Sequence, residues 1–433
     1  MNRPEVLPAR PWTFPIPQIT QLDNGLAIWA YDLPGQFILA STLVLELPIN
    51  AEPEGLDGVA TIAVRCLDEG TLTHPGTQFA AALEGVGAEF AGLVGLSTTQ
   101  CLLDVPCDSF PEALSLFAEA VTTPAFDDSD VERIRANRRS EIDQQESRGS
   151  YVASTALRAA LLADSRLAHP VGGNSTTVAA IRPTDVAQFQ ATHYRPEQAV
   201  LIVAGDLTGV DPAKDAAAAF GDWNPANQPV QPIQASPGTR RRRLIHREGA
   251  VQADIRLGWF GIDRRDPRWS DLQVALTVMG GSFNSRLNTV LREERGYTYG
   301  VHMSAHPYRT GGLIEVATST RTEAAPDLID EALDLLQASE PFTEEEVRAA
   351  VGYLTGSAPL AFGTADAVAS QAASIAASHL DLDHVTNSLA ALGRVTPESA
   401  IAAYRALIDP DQASLIVVAD ADQIADIGYE ISR

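Results

Sequence analysis

The decapeptide LREERGYTYG, residues 291 to 300, sets two arginines, two glutamates and two tyrosines beside two glycines. A guanidinium fork can hold a substrate carbonyl, and a phenol can donate a hydrogen bond to an oxyanion as it develops. An arginine and a tyrosine of this stretch are candidates for those roles. A structural reading stands beside this one. Phe283, Leu287 and Leu291 recur at helical spacing and Gly296 is placed as a C-cap. Tyr297, Tyr299, Val301 and Met303 then alternate onto one face of a following strand, which makes Tyr299 half-buried, with Arg292 and Arg295 complementing the helix dipole.

Other common chemistries are excluded by what the chain lacks. Lys214 is the only lysine and no GK[ST] follows a glycine-rich loop, so there is no P-loop; GxSxG and a GxGxxG after a strand are also absent. Among the eight histidines, His302 and His306 fall on an alternating strand, which places their rings roughly 13 Å apart. His379 and His384 are five apart, a spacing that does not chelate from one helix face. Both pairs read as surface or structural. Cys66, Cys101 and Cys107 are odd in number and widely placed, so they read as small core residues.

With 433 residues and 45% hydrophobic composition, the chain divides into about two domains. A repeat locates them. PEQAVLIVAGD (Pro196 to Asp206) returns as PDQASLIVVAD (Pro410 to Asp420), an apolar run of the kind buried on both faces of a sheet. FDDSDV (Phe126 to Val131) returns as FTEEEV (Phe342 to Val347), an acidic first turn opening a long helix. The near-equal offsets imply duplication of a unit of roughly 215 residues. The expected organisation is a domain over 1–222, a proline-rich linker over 223–239 on which two lobes can close, and a second domain over 240–433. Each is α+β, a mixed sheet with helices packed on one face. The run Arg240 to Arg243 reads as a solvated linker end.

A formal charge of −25, from 56 acidic against 31 basic residues, repels phosphate backbones and anionic membranes, so no nucleic acid and no membrane is expected as partner. The N-terminal MNRPEVLPARPWTFPIPQ has no apolar signal-peptide core, and a cytoplasmic protein is expected.

The order LDNGLAIWAYDLPG, GLDGVATIAVRCLDEGT, HPVGGNSTTVAAI, HYRPEQAVLIVAGDLTG and MGGSFNSRLNTVLREERGYTYG resembles the pitrilysin/insulysin-type (inverzincin) metallopeptidases. The resemblance is to the short two-repeat branch that includes mitochondrial processing peptidase subunits and bacterial processing proteases. It implies two homologous domains forming half of a clamshell. Catalytic members carry His-x-x-Glu-His on a helix, where two imidazoles bind zinc and the glutamate activates water. Aligned on Gly70-Thr71, the ligand positions here are Thr61 and Arg65 and the base position is Val64. Glu141 stands near the expected third ligand. The resemblance therefore implies no metal in this chain. The helix is read instead as amphipathic, with Val59, Ile62, Ala63 and Cys66 inward. The family's Leu-Arg-(x)6-Tyr segment is kept as Leu291, Arg292 and Tyr299.

An arginine-tyrosine half without a zinc half implies a non-metal subunit of a heterodimeric peptidase. Such a chain lends Arg292 and Tyr299 to a zinc-binding homologous partner and helps to enclose a peptide. The alternative is a non-enzymatic structural or peptide-binding subunit, as in respiratory-complex core proteins. Only Gly280-Gly281-Ser282 stands where the processing peptidase α subunit has its glycine-rich presequence loop.

Overall fold

In the computed structural model the described residues are 12–224, 230–424 and 430–432. The first eleven residues of the N-terminal stretch and 225–229 of the expected linker lie outside them.

The first half builds a six-stranded sheet from β1 (Gln18–Gln21), β2 (Ala27–Asp32), β3 (Ile38–Leu45), β4 (Glu89–Val94), β5 (Thr99–Pro106) and β6 (Ala199–Gly205), ordered β1-β2-β6-β3-β5-β4. The second half repeats it with β7 (Arg242–His246), β8 (Gln252–Gly261), β9 (Val301–Pro307), β10 (Gly312–Arg321), β11 (Ser414–Ala419) and β12 (Glu430–Ser432), ordered β12-β7-β11-β8-β10-β9. Both sheets are mixed: β2 with β6 and β7 with β11 are parallel, whereas β3 and β8 pair antiparallel to their neighbours. The edge strands β1 and β12 are not equivalent, because β1 runs antiparallel to β2 and β12 parallel to β7.

The duplication extends to single hydrogen bonds. Asp206 closes the turn after β6 by accepting from Gly35 N at 2.7 Å, and Asp420 after β11 accepts from Gly249 N at 3.0 Å. Residue 249 is as far from 35 as 420 is from 206. Asp32 accepts from Leu207 N at 3.2 Å, and the same backbone position in the second half, Ala421 N, donates to His246 Nδ1 at 3.1 Å.

The central strands read as unbroken apolar runs because both faces of each sheet are covered. In β3 and β6, Leu39, Leu43, Leu201 and Val203 face the first half's own helices. Ala40, Val44, Ile202 and Ala204 point the other way, onto Val368, Ala369, Ala372 and Ile375 of the helix Ala365–Ser378, which belongs to the second half. The reciprocal contact places Ala153, Leu157 and Leu161 of the helix Gly149–Leu161 on Ile416 and Val418 of β11. Each half thus keeps its own helices on one face and receives one from its counterpart on the other. The alanine content of these exchanged helices lets them lie close to a sheet.

Two expectations change. The described end of the linker is docked rather than free: Ala163 N donates to Ser236 O at 3.0 Å, Gly238 N to Leu161 O at 2.8 Å, and Ala235 N to Thr310 Oγ1 at 3.1 Å. The exchanged helices and this strap tie the halves together, so the described part of the linker does not act as an open tether. The arginine run is a solvated linker end only at the exposed Arg240 and Arg241. Arg242 and Arg243 start β7, an inner strand between β11 and β12, where Arg243 Nε donates to Ser432 Oγ at 2.8 Å and Arg240 Nε to Ala413 O at 3.3 Å. Cys66 and Cys101 are core residues, and Cys107 is partly buried with its thiol 3.1 Å from Phe37 O. Among the described residues no helix is long and apolar enough to cross a membrane.

Candidate functional site

The helix Val59–Arg65 is fixed at its N-terminus by Glu52, whose Oε1 accepts from Gly58 N at 3.0 Å and Ala60 N at 3.1 Å. Glu52 is itself buried against Arg166 (2.5 Å), which also reaches Asp57 (3.4 Å), and Asp57 meets His169 at 2.9 Å. Burial drives the Glu52 carboxyl upward in pKa, against the pull of Arg166.

Val59, Ile62, Ala63 and Cys66 are buried as expected, and so are Thr61 and Val64. Val64 is 1% exposed and packs on Gly92 of β4, where an added Cβ would lie 2.6 Å from a Val64 methyl. Nothing at position 64 accepts a proton, and β4 leaves little room there. Arg65 turns to Glu141, on the helix Asp128–Glu146, and donates through Nη1 to both carboxylate oxygens at 2.8 and 2.9 Å. Arg138, one turn earlier, donates to Glu141 Oε2 at 3.0 Å and to Gly172 O at 2.9 Å. Burial opposes ionisation of Glu141, but the two guanidiniums outweigh it and hold the carboxyl below its usual range.

Zinc needs neutral imidazole, thiolate or carboxylate donors. Thr61, Val64 and Arg65 supply none, and the lone carboxylate already binds two fixed cations. These residues do not fit the metal, because a guanidinium occupies the place in the charge pattern that a cation would take.

The second segment is open where the first is closed. Residues Thr277–Gly281 and Asn288–Glu294 form π-helical turns, a geometry that adds one residue per turn and is frequent at functional sites. Leu287 and Leu291 are buried, but Phe283 is 71% exposed and is not part of their apolar stripe. The Arg292 guanidinium carbon lies 3.5 Å from the centre of the Phe283 ring, a cation–π stack, and Nη2 contacts Glu293 at 2.6 Å.

The half-buried placement of Tyr299 is overturned: its side chain is 99% exposed. The alternation read from Tyr297 to Met303 breaks because the strand starts only at Val301, paired with Thr318. Asn288 sets that start, accepting from Val301 N at 2.9 Å and donating to Val301 O at 2.8 Å. On the near side Tyr297 N donates to Leu291 O at 2.9 Å, Thr320 Oγ1 donates to Tyr297 O at 2.6 Å, and Gly296 takes a φ of +65°. Thr318 Oγ1 donates to Gly300 O at 2.9 Å. The loop is tied on both sides of Tyr299, so its exposure is built in. Among the described residues no hydrogen bond or ion pair joins Arg292 or Tyr299 to Arg65 or Glu141.

His302 and His306 project from β9, His306 lying 3.5 Å from Glu315, and His379 ends its helix at φ +51° with Nε2 3.1 Å from Glu46. Neither pair forms a ligand set. A group the sequence reasoning missed, His246 with Asp420 and Asp422, has ligand atoms within 4.8 Å of one another. His246 Nδ1 accepts there from Ala421 N and Asp420 closes the turn, so these atoms have structural work.

A duplicated six-stranded α+β unit, with a degenerate ligand box in its first copy and an arginine-tyrosine loop in its second, defines a peptidase-like chain. Comparison with known families agrees: residues 49–175 match "Insulinase (Peptidase family M16)" and residues 180–354 match "Peptidase M16 inactive domain". The chain belongs to peptidase family M16. It is 25% identical over 394 residues to an uncharacterized zinc protease of Streptomyces coelicolor, covering 89% of this chain and 86% of that one. It is 22% identical over 308 residues to a non-peptidase homolog, YmxG, of Helicobacter pylori, covering 70% and 71%. The crystal structure of a peptidase M16 inactive domain from Pseudomonas fluorescens shares the fold, with a TM-score of 0.85 at 22% identity over 96% of this chain and all of the other.

Proposed function

We propose that this chain is the non-metal subunit of a heterodimeric peptidase, inactive alone, which lends Arg292 and Tyr299 to a peptide bound at the zinc site of a homologous partner. The observation that carries the reading is the contrast between the two segments. The ligand-box positions are closed by an internal ion pair, while Tyr299 stands fully exposed on a loop pinned at both ends. An unpartnered phenol held out to solvent supports a role toward another molecule. Arg292 would exchange the exposed Glu293 for a substrate carbonyl while keeping its stack on Phe283, and Tyr299 would donate to the oxyanion as water adds. The peptide would add as a strand along an open sheet edge, β4 and β9 being the outer strands on the side away from β1 and β12.

The test is co-purification with the candidate zinc-binding homologue, followed by cleavage of a quenched peptide. The lone chain should be silent, the pair active, and Tyr299→Phe in the pair should lower kcat by about 10²-fold, the usual effect of removing one oxyanion donor. Activity in the lone chain overturns the assignment. So does full activity of the pair with Arg292→Ala and Tyr299→Phe combined.

A second reading, a non-enzymatic scaffold or peptide-binding subunit, is favoured by one observation: Arg292 is already engaged by Phe283 and Glu293. A stable complex indifferent to both substitutions would select it.

A further inference from the structure

Away from both segments lies a cavity of about 390 Å³ between the helices Trp269–Leu276, Glu344–Gly356, Ala365–Ser378 and His384–Leu392 and the end of β9. Its size falls within the range of small-ligand sites. Trp269, Leu354, Phe362 and Leu389 supply apolar wall, and among the described residues no carboxylate lines it, although the chain as a whole carries −25.

The fixed charge in this wall is Arg264. Its Nη1 donates to Ser374 Oγ at 2.7 Å, and among the described residues no carboxylate lies within ion-pair distance of it. Its neighbours are committed otherwise: Arg268 is paired to Asp266 at 2.7 Å, and Arg265 donates to the backbone carbonyls of Ser378 and His379. Burial pulls the Arg264 guanidinium downward in pKa, as happens when a cation leaves water without a compensating anion. With Nη1 committed to Ser374, the Nε and Nη2 edge remains, the fork that grips a carboxylate through two parallel hydrogen bonds.

We infer that this cavity binds a small organic acid, its carboxylate held by the free edge of Arg264 and its apolar body lying against Trp269, Leu354, Phe362 and Leu389. One guanidinium matches one negative charge. A phosphate dianion would need further donors and would waste the apolar wall. The site is independent of Arg292 and Tyr299. A free acid and the C-terminus of a short peptide share the required chemistry, and the probes separate them.

Calorimetric titration of the intact chain with decanoate and with N-acetyl-leucyl-phenylalanine, each beside its neutral carboxamide, tests the inference. At least one acid should bind at least about tenfold more tightly than its amide. Arg264→Met should abolish that preference, and Ser388→Phe, which fills the cavity from the helix His384–Leu392, should abolish binding with the arginine intact. Preference for decanoate assigns a free acid, preference for the dipeptide a peptide terminus, and both together the shared carboxylate. Equal binding of acid and amide to the wild-type chain overturns the inference, as does failure of both acids at millimolar concentration. Because that comparison uses the wild-type protein, a variant that misfolds cannot hide the result.

Discussion

If Arg65 replaces a metal cation in the charge pattern around Glu141, removing it should cost less than removing the carboxylate. Arg65 Nη1 reaches both Glu141 oxygens, at 2.8 and 2.9 Å, but the side chains are 37% and 40% exposed, so solvent screening limits the pair's worth to about 1 kcal/mol. Arg65→Met leaves Glu141 still held by Arg138 at 3.0 Å. Glu141→Gln is worse, because Arg138 is only 7% exposed and would keep just the neutral Gly172 carbonyl and one amide oxygen, at a cost of about 2–3 kcal/mol. Once Glu141 is neutral, Arg65→Met should add almost nothing, so the double variant should resemble Glu141→Gln, with a coupling of about 1 kcal/mol. Urea unfolding of the four proteins at pH 7 measures the cycle. Acid supplies a second check. The folded-state pKa of Glu141 is depressed, so its stabilisation is present above the usual carboxylate pKa of about 4.5 and is lost as pH falls through the lower folded value. The cost of Arg65→Met should therefore fade in acid. Excess zinc should leave the Tm of Arg65→Met unchanged, because Thr61 and Val64 still offer no ligand. A coupling below about 0.3 kcal/mol, or Arg65→Met costing more than Glu141→Gln, refutes the reasoning.

Burial raises the Asp68 carboxyl from 3.8 to about 6, with Glu69 adding to the shift and Arg133 opposing it. The charged form is disfavoured in the fold, so the relative advantage of the neutral acid is complete below pH 4 and lost as pH rises through 6. Asp68→Asn should therefore raise stability by about 2 kcal/mol at pH 8 and by almost nothing at pH 4, measured as a difference in unfolding free energy; a pH-independent difference would contradict it. Asn288→Ala removes the bonds that start β9 and leaves both Val301 backbone groups without their partner, which should cost about 2–3 kcal/mol and speed amide exchange at Val301 before the rest of β9.

The repeat was legible because its signal is local. The apolar runs before Asp206 and Asp420 and the acidic turns after Phe126 and Phe342 each carry their meaning in a few residues, and the structure returns them as β6, β11 and the helices Asp128–Glu146 and Glu344–Gly356. The helix exchange was not legible. Ala-rich segments such as Ala365–Ser378 show a face fit for close packing but not which sheet receives it. Tyr299 was misplaced for a related reason: the period-two alternation in the sequence begins before Val301, and the bonds from Asn288, thirteen positions earlier in the chain, make the strand start only there. The cavity around Arg264 draws its lining from segments scattered between residues 264 and 392, so no motif announces it.

A ligand box without histidines should leave a carboxylate in search of a cation. Here the substituted residue is itself the cation, and Arg65 reaches the Glu141 carboxylate directly. With Arg138 binding Gly172 O as well, the helices Val59–Arg65 and Asp128–Glu146 and the loop after Pro170 remain joined through one charged group. The ion pair makes the kind of connection between these elements that a bound metal makes. No comparable closure occurs around Tyr299, where the loop's hydrogen bonds secure the backbone and leave the phenol free. An ion pair sealing one segment while hydrogen bonds hold the other open is the arrangement a subunit would need if it reads a peptide at a centre it does not itself contain.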